Sequence, residues 1–295
     1  MIRLAMIDGT DAYHGRAFAG FINRVNEDEF RKQNWPLYRT VLSDRAAITH
    51  IWGQNEEATK ALAAAAGIEH VVSTPADVIG KVDGVLLIDN LKMTHQRHAP
   101  LFIKAGVPAF IDKPLSPRWE EAQGIVRLAR KHRTPIMSTS ALRYSSEIAD
   151  MKAITDQVGE LVTCCAAGTN DLFFYGIHSM TLMLAVMGAR VRSVRNVGKR
   201  GKDVVHVRFR DGRQGVLIVY NKGMAYTLEV TVYGSKGHLR IPVRDAQGFY
   251  GNMLADFVSM VETRRPSVPY DETLNIIRAL LLAKKSARDH REHKV

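Results

Sequence analysis

The apolar stretch "VPAFI" runs directly into "DKPLSP", which sets a carboxylate, an amine and a proline at Asp112, Lys113 and Pro114. An amine beside partly buried walls loses hydration, so its pKa falls and it can serve as an acid or a base. Lys113 is therefore the leading candidate for proton transfer, with Pro114 fixing the backbone behind it. His178 is the second. It falls in the first turn of "GIHSMTLMLAVMG", where the positive end of a helix dipole disfavours protonation and leaves imidazole able to accept a proton. Polar residues also follow apolar runs in "GTDAYHG", "GQN" and "DNLKMTH", the last led by Asp89 and Asn90. No metal site is expected: His95 and His98 are spaced i, i+3, but no third ligand follows at useful spacing.

Such residues need a scaffold that brings strand ends together, and the first half of the chain reads as one. "IRLAMID", "AITHIWG", "VDGVLLIDN", "VPAFI" and "TPIMSTS" are strand-like, and the nearly continuous apolar run of the third fits a strand covered on both faces. Helical stretches alternate with them: "RAFAGFIN", "NEEATKALAAAAG" with Asn55 at its start and Gly67 at its end, "HQRHAPLFIKAG", and "RWEEAQGIVRLARKH" after Ser116 and Pro117. Repeated strand–helix–strand units predict an α/β, doubly wound parallel sheet, whose ligands bind beyond the carboxyl ends of its strands.

The second half changes period. In "DVVHVRFRDGRQGVLIVYN" Val205, Val207 and Phe209 alternate with His206, Arg208 and Arg210 before a turn at Asp211–Gly212. "YTLEVTVYGSKGHLRI" repeats the pattern with Leu228, Val230 and Val232, and two helices close the chain, one spaced Leu254, Phe257, Val258, Val261. This predicts a separate α+β domain with an antiparallel sheet, and a division into residues 1–140 and 141–295.

At 295 residues, 46% hydrophobic and 24% charged, the chain has the composition of a soluble globular protein with room for two domains. No apolar run reaches the length of a membrane span, and the opening apolar run stops at Asp8, too early for a signal peptide. Cys164 and Cys165 are adjacent and do not form a disulfide framework, so a cytoplasmic location is the default expectation. The net charge of +11 comes from scattered residues with no zinc spacing or aromatic–basic alternation beside them. It speaks to solubility and to steering of an anionic small molecule, and neither nucleic acid nor membrane is an expected partner.

Taken in order, "VDGVLLID", "THQRHAP", "AGVPAFIDKPLS", "EEAQGIVRLARKHRTPIMSTSALRY", "GELVTCC", "FYGIHSMTLMLAVMG", "VYGSKGHLRI" and "ADFVSMVETRRP" resemble the Gfo/Idh/MocA oxidoreductases over nearly the whole chain. The resemblance implies a Rossmann-type NAD(P)-binding domain followed by an α+β domain with a large, mostly antiparallel open sheet. It further implies hydride transfer to or from a hydroxyl-bearing carbon of a sugar, cyclitol or related small molecule, and a homodimer or homotetramer built through the C-terminal sheet. Lys113 matches the family's catalytic lysine and His178 its catalytic histidine. Gly9, Thr10, Asp11, Gln54, Asp89, Asn90, His95, Asp112 and Lys113 are the implied cofactor side. Arg143, Tyr144, Asp171, Tyr175 and His178 are the implied substrate side.

Three stretches depart from the family pattern. The phosphate loop G-x-G-x-x-G reads "IDGTDAYHG"; with Gly9 as the first glycine, Asp11 and His14 replace the other two, and Asp11 either caps the helix or meets the phosphate. The carboxylate expected at the end of the second strand is replaced by Gly53 and Gln54, which leaves NAD and NADP both open. In D-x-G-x-H-x-x-D both acids are missing, at Phe174 and Thr181, with Asp171 and Tyr175 as the nearest substitutes. An NAD(P)-dependent dehydrogenase is the leading expectation. The alternative is a catalytically altered member that binds a ligand or serves as an assembly subunit.

Overall fold

The computed structural model describes residues 1–88 and 95–295, with backbone alone at His95. The chain forms two compact units: Met1–Ser116, Glu120–Ser138 and Tyr250–Tyr270 make the first, and Pro117–Trp119, Thr139–Phe249 and Asp271–Val295 the second.

The first unit alternates β1 (Ile2–Ile7), α1 (Tyr13–Ile22), α2 (Glu27–Lys32), β2 (Ala46–Trp52), α3 (Glu56–Ala65), β3 (His70–Val71), β4 (Gly84–Leu87), α4 (His95–Lys104), β5 (Ala109–Ile111), α5 (Trp119–His132) and β6 (Ile136–Met137). Its strands are all parallel, in the order β3-β2-β1-β4-β5-β6. The order reverses between β1 and β4, whose ends Ile7 and Leu87 are register partners, and this is the switch point beside which such sheets bind ligands. β4 and β5 are buried on both faces, as their unbroken apolar sequence requires. Asn55 caps α3 by accepting the Ala58 N–H at 3.0 Å, and Gly67 follows the helix with φ 60°. α2, in a stretch with no apolar stripe, is held by Asn26 at its start, acids in its first turn and Arg31 and Lys32 in its last.

The second unit holds α6 (Met151–Val158), β7 (Leu161–Thr169), α7 (Gly176–Met187), β8 (Val191–Asn196), β9 (Lys202–Phe209), β10 (Gln214–Tyr220), β11 (Leu228–Gly234), β12 (His238–Pro242), most of α9 (Tyr270–Asp289) and β13 (His293–Lys294), and the start of α8 (Ala246–Thr263). Its sheet runs β12-β11-β7-β10-β9-β8-β13, antiparallel throughout except for the β7–β10 pair. Alternation sets its faces. Val205, Val207, Phe209, Leu217, Val219, Val230 and Val232 are fully buried, and α7 packs over β7, β10 and β11.

A single boundary at 140 falls between the two sheets but does not describe α8, because residues 250–270 belong to the first unit. The reason is the helix's apolar stripe: Leu254, Phe257 and Val258 are fully buried, and the Phe257 ring meets Phe110 of β5 edge-on at 5.9 Å. Arg45, just before β2, bonds Ser259 and Glu262 on the same helix. Replacing Phe257 by Ala is expected to lower unfolding free energy by about 3–5 kcal/mol, the range for emptying an aromatic core site, read as a fall in the urea midpoint at constant slope.

Candidate active site

The turn after β1 is built for close approach. Asp8 and Gly9 both take left-handed conformations, φ 63° and 67°, and a Cβ on Gly9 would lie 2.7 Å from Ile88. Only hydrogen on Gly15 lets α1 lean on the turn, since a Cβ there would meet the Gly9 carbonyl oxygen at 2.2 Å. The glycine that serves helix packing is thus Gly15, one residue beyond the position His14 was expected to hold. The N-cap is Ala12, which has no side-chain acceptor, so Asp11 is not the capping residue; it is exposed. A helix start without a competing cap, reached through a tight glycine turn, suits a dinucleotide's pyrophosphate.

The end of β2 explains the missing acid. A Cβ on Gly53 would lie 2.5 Å from the Thr59 hydroxyl and 2.8 Å from that of Thr10, which bond each other at 3.1 Å in the interior. No carboxylate fits at position 53. A different one stands nearby: Asp8, 3% exposed, accepts the Gln54 side-chain amide at 2.5 Å, the Gln54 N–H at 3.3 Å and the Gly9 N–H at 3.1 Å. Its charge is thereby directed to the edge of the turn rather than left unmatched. Thr10 and Gln54 therefore both border the turn, Thr10 through its buried bond.

Lys113 leaves β5 at 7% exposure, and the Lys113–Pro114 bond is cis. Burial pushes the ammonium's pKa down, and the neighbouring Asp112 opposes that shift. Asp112 is 1% exposed; it accepts the Lys113 N–H at 2.8 Å with one oxygen and contacts His14 Nδ1 at 2.7 Å with the other. The other ring nitrogen of His14 lies 3.2 Å from the Tyr250 hydroxyl, and its ring stacks on Phe18. Asp112 is therefore committed to α1 and to the turn carrying Lys113, an arrangement that the sequence separation of His14 and Asp112 concealed.

In the second unit His178 is the third residue of α7, a helix buried on every side except at His178 and Ala185. Its Nδ1 lies 2.7 Å from the Ser140 hydroxyl, a partner the sequence did not single out. The Tyr175 ring, 38% exposed, meets the His178 ring edge-on at 5.8 Å. Asp171 caps the turn before α7, accepting the Phe173 and Phe174 N–H groups at 2.8 and 2.9 Å, which accounts for its conformation without a substrate. Arg143, in the 3₁₀ turn Ala141–Tyr144, is paired with Glu272 of α9, and Tyr144 ends the same turn half-buried. Thr181, at the position of the missing acid, is 1% exposed and its hydroxyl has no partner among the described residues. Asp89 and Asn90 lie outside the described residues; of His95 only the backbone is placed, at the start of α4.

The segment carrying Ser140, Arg143 and Tyr144 is anchored by Glu147. Burial alone would raise its pKa, but bonds from the Ser145 hydroxyl and the Arg244 and Asp245 N–H groups overcome this and hold it down at about 2.

Strand order, glycine turn and helix start define a Rossmann-type dinucleotide-binding unit joined to an open mixed sheet. Comparison makes the class specific. Residues 19–140 match the family GFO_IDH_MocA, described as "Oxidoreductase family, NAD-binding Rossmann fold". The fold as a whole is that of solved dehydrogenases. The Lactobacillus casei myo-inositol dehydrogenase, in complex with NAD(H) and myo-inositol, superposes with TM-score 0.80 at 16% identity over 100% of this chain and 97% of its own. Myo-inositol 2-dehydrogenase of Lactobacillus plantarum gives 0.79 at 16% identity, covering 100% and 99%. UDP-N-acetylglucosamine 3-dehydrogenase of Acidithiobacillus ferrooxidans gives 0.75 at 15%, covering 98% of each. Among curated proteins no sequence matches the chain.

Two outcomes check this site. Gly15→Ala is expected to force α1 away from the turn, weakening NADH binding at least about tenfold, about 1.4 kcal/mol, in a fluorescence titration. Glu147 contributes stability that is full above the ordinary glutamate pKa and is lost as pH falls through about 2. The melting temperature of the native protein is therefore expected to drop over that interval more steeply than that of Glu147→Gln.

Proposed function

We propose that the chain is an NAD(P)-dependent dehydrogenase acting on a hydroxyl-bearing carbon of a small sugar- or cyclitol-like substrate. The observation that carries this reading is Lys113: an amine buried at a strand exit beyond the sheet's carboxyl ends, with its pKa depressed and its neighbouring carboxylate already engaged. A nicotinamide dinucleotide bound at the turn of Gly9 and Gly15 would supply or accept the hydride. The chain's own groups handle the oxygen. Lys113 takes the hydroxyl proton during oxidation and returns it during reduction, and His178 is the second proposed catalytic group, an imidazole able to hydrogen-bond a substrate oxygen. Tyr175 and Tyr144 offer ring and hydroxyl surface to a polyol, while Arg143 serves through its ion pair with Glu272 as a strut. The Asp8 carboxylate beside Gln54, at the strand end that borders the adenosine ribose in this fold class, favours NAD over a cofactor carrying a further phosphate.

Assembly belongs to the same proposal. Opposite α7, the second sheet carries Val204, Val216, Ile218 and Ala167, all incompletely buried, a face suited to a second copy in a homodimer or homotetramer. One observation supports the alternative, a ligand-binding or assembly subunit without hydride transfer: carboxylates at Asp8 and Asp11 flank the phosphate turn.

Titration with NADH and NADPH is expected to show saturable binding with NADH the tighter; no binding of either at millimolar concentration overturns the dehydrogenase reading. With a polyol found by screening, Lys113→Ala is expected to lose ~10²–10⁴-fold in kcat while still binding NADH. The oxidation rate of the native enzyme is expected to rise along a pH limb centred below the ordinary lysine pKa, since the free amine is the acceptor and burial lowers that pKa. Unchanged turnover in Lys113→Ala would remove the residue from the mechanism.

A further inference from the structure

His178 is held by a hydroxyl whose single proton can be located by elimination. Ser140 is 0% exposed and stands at the start of the 3₁₀ turn Ala141–Tyr144. A serine hydroxyl has one proton to give and two lone pairs to receive. One lone pair takes the Leu142 N–H at 3.2 Å, a donor that cannot be reversed. The other contact of the hydroxyl among the described residues is His178 Nδ1 at 2.7 Å. If Nδ1 carried hydrogen and donated, the Ser140 proton would be left in the interior with no acceptor, and buried polar groups are rarely left so. If instead the hydroxyl donates to a bare Nδ1, both the Leu142 N–H and the Ser140 hydroxyl are matched. The hydrogen of the neutral imidazole then resides on Nε2.

We propose that Ser140 is a positioning residue that fixes His178 as the Nε2–H tautomer, so that His178 meets the reacting oxygen as a hydrogen-bond donor and not as a proton acceptor. This rests on the dehydrogenase reading above only for the identity of that oxygen. A neutral imidazole N–H stabilises negative charge building on a carbonyl oxygen, which points to the carbonyl form of the substrate as the one His178 recognises and leaves proton transfer to Lys113. It also gives a physical role to the loss of both acids near the histidine. A carboxylate beside the ring would draw the hydrogen toward itself and favour the charged form, whereas a serine that donates does neither.

The test reads the imidazole directly. Protein labelled with ¹⁵N-histidine is examined by long-range ¹H–¹⁵N correlation above the histidine titration range, with the His178 signals identified by their loss in His178→Gln. The expected pattern is a bare-nitrogen shift at Nδ1 and a protonated shift at Nε2. Ser140→Ala is expected to move both shifts toward a tautomer mixture, and Ser140→Thr, which keeps the hydroxyl, to restore them. A protonated Nδ1 in the native protein overturns the proposal without any variant, and unchanged shifts in a folded Ser140→Ala overturn the role of Ser140. None of these spectra requires dinucleotide or substrate. Failure to bind NADH, with the tautomer as stated, would therefore remove the dehydrogenase reading and leave the assignment of Ser140 standing.

Discussion

One buried carboxylate ties the first unit's chemistry to its architecture. Asp112 is sealed from water, with one oxygen on the backbone of Lys113 and the other on His14. A charge in that setting is tolerated only when its hydrogen bonds are complete, and stripping one partner from such a pair typically costs about 3–5 kcal/mol. His14 belongs to α1, the helix whose start faces the glycine turn, and its far nitrogen reaches Tyr250. The turn that presents the amine, the helix that would receive phosphate and the returning segment at Tyr250 are thus registered on one another. The sheet brings β1, β4 and β5 side by side; the carboxylate fixes the turn leaving β5 against the helix that begins beyond β1.

The second unit solves a different problem, placing one imidazole at the start of a helix that is otherwise wholly enclosed. Asp171 closes the entry turn with two backbone N–H bonds, and Gly176 and Ile177 enter the interior, so the third residue is the first place where a polar group can be accommodated. Ser140 meets that group from a 3₁₀ turn braced by Arg143–Glu272 on one side and Glu147 on the other. Phe174 and Thr181 flank the histidine with no carboxylate at either position, and the Ser140 hydroxyl bonds the ring.

The layout of both sheets was legible because it depends on periodicity: continuous apolar runs gave the parallel strands, and strict alternation gave the hairpins of β9 with β10 and β11 with β12. Lys113 and His178 stand out in the sequence through type and local setting, and their roles belong to the proposed function. What was hidden was pairing at a distance. His14 with Asp112, Arg143 with Glu272 and Ser140 with His178 are separated by 98, 129 and 38 residues, and no local pattern encodes such partners. The G-x-G-x-x-G template misplaces the packing glycine by one residue because it assumes a fixed loop length, whereas the helix start at Ala12 shifts that glycine to Gly15. Asp8 is disguised as a strand terminator, although a carboxylate beside a glycine turn is the available clue. Asp171 is recognisable as a turn-former from its type alone, and that is the role it fills.

The return of residues 250–270 to the first unit bears on how such a protein can be recombined. A single crossover in the gene near codon 140 would transplant a nucleotide-binding sheet stripped of Leu254, Phe257 and Val258, exposing the apolar flank they shield. Chimeras between relatives should accordingly exchange two segments together, and lineages that diverge by domain shuffling have reason to inherit this one as an indivisible whole.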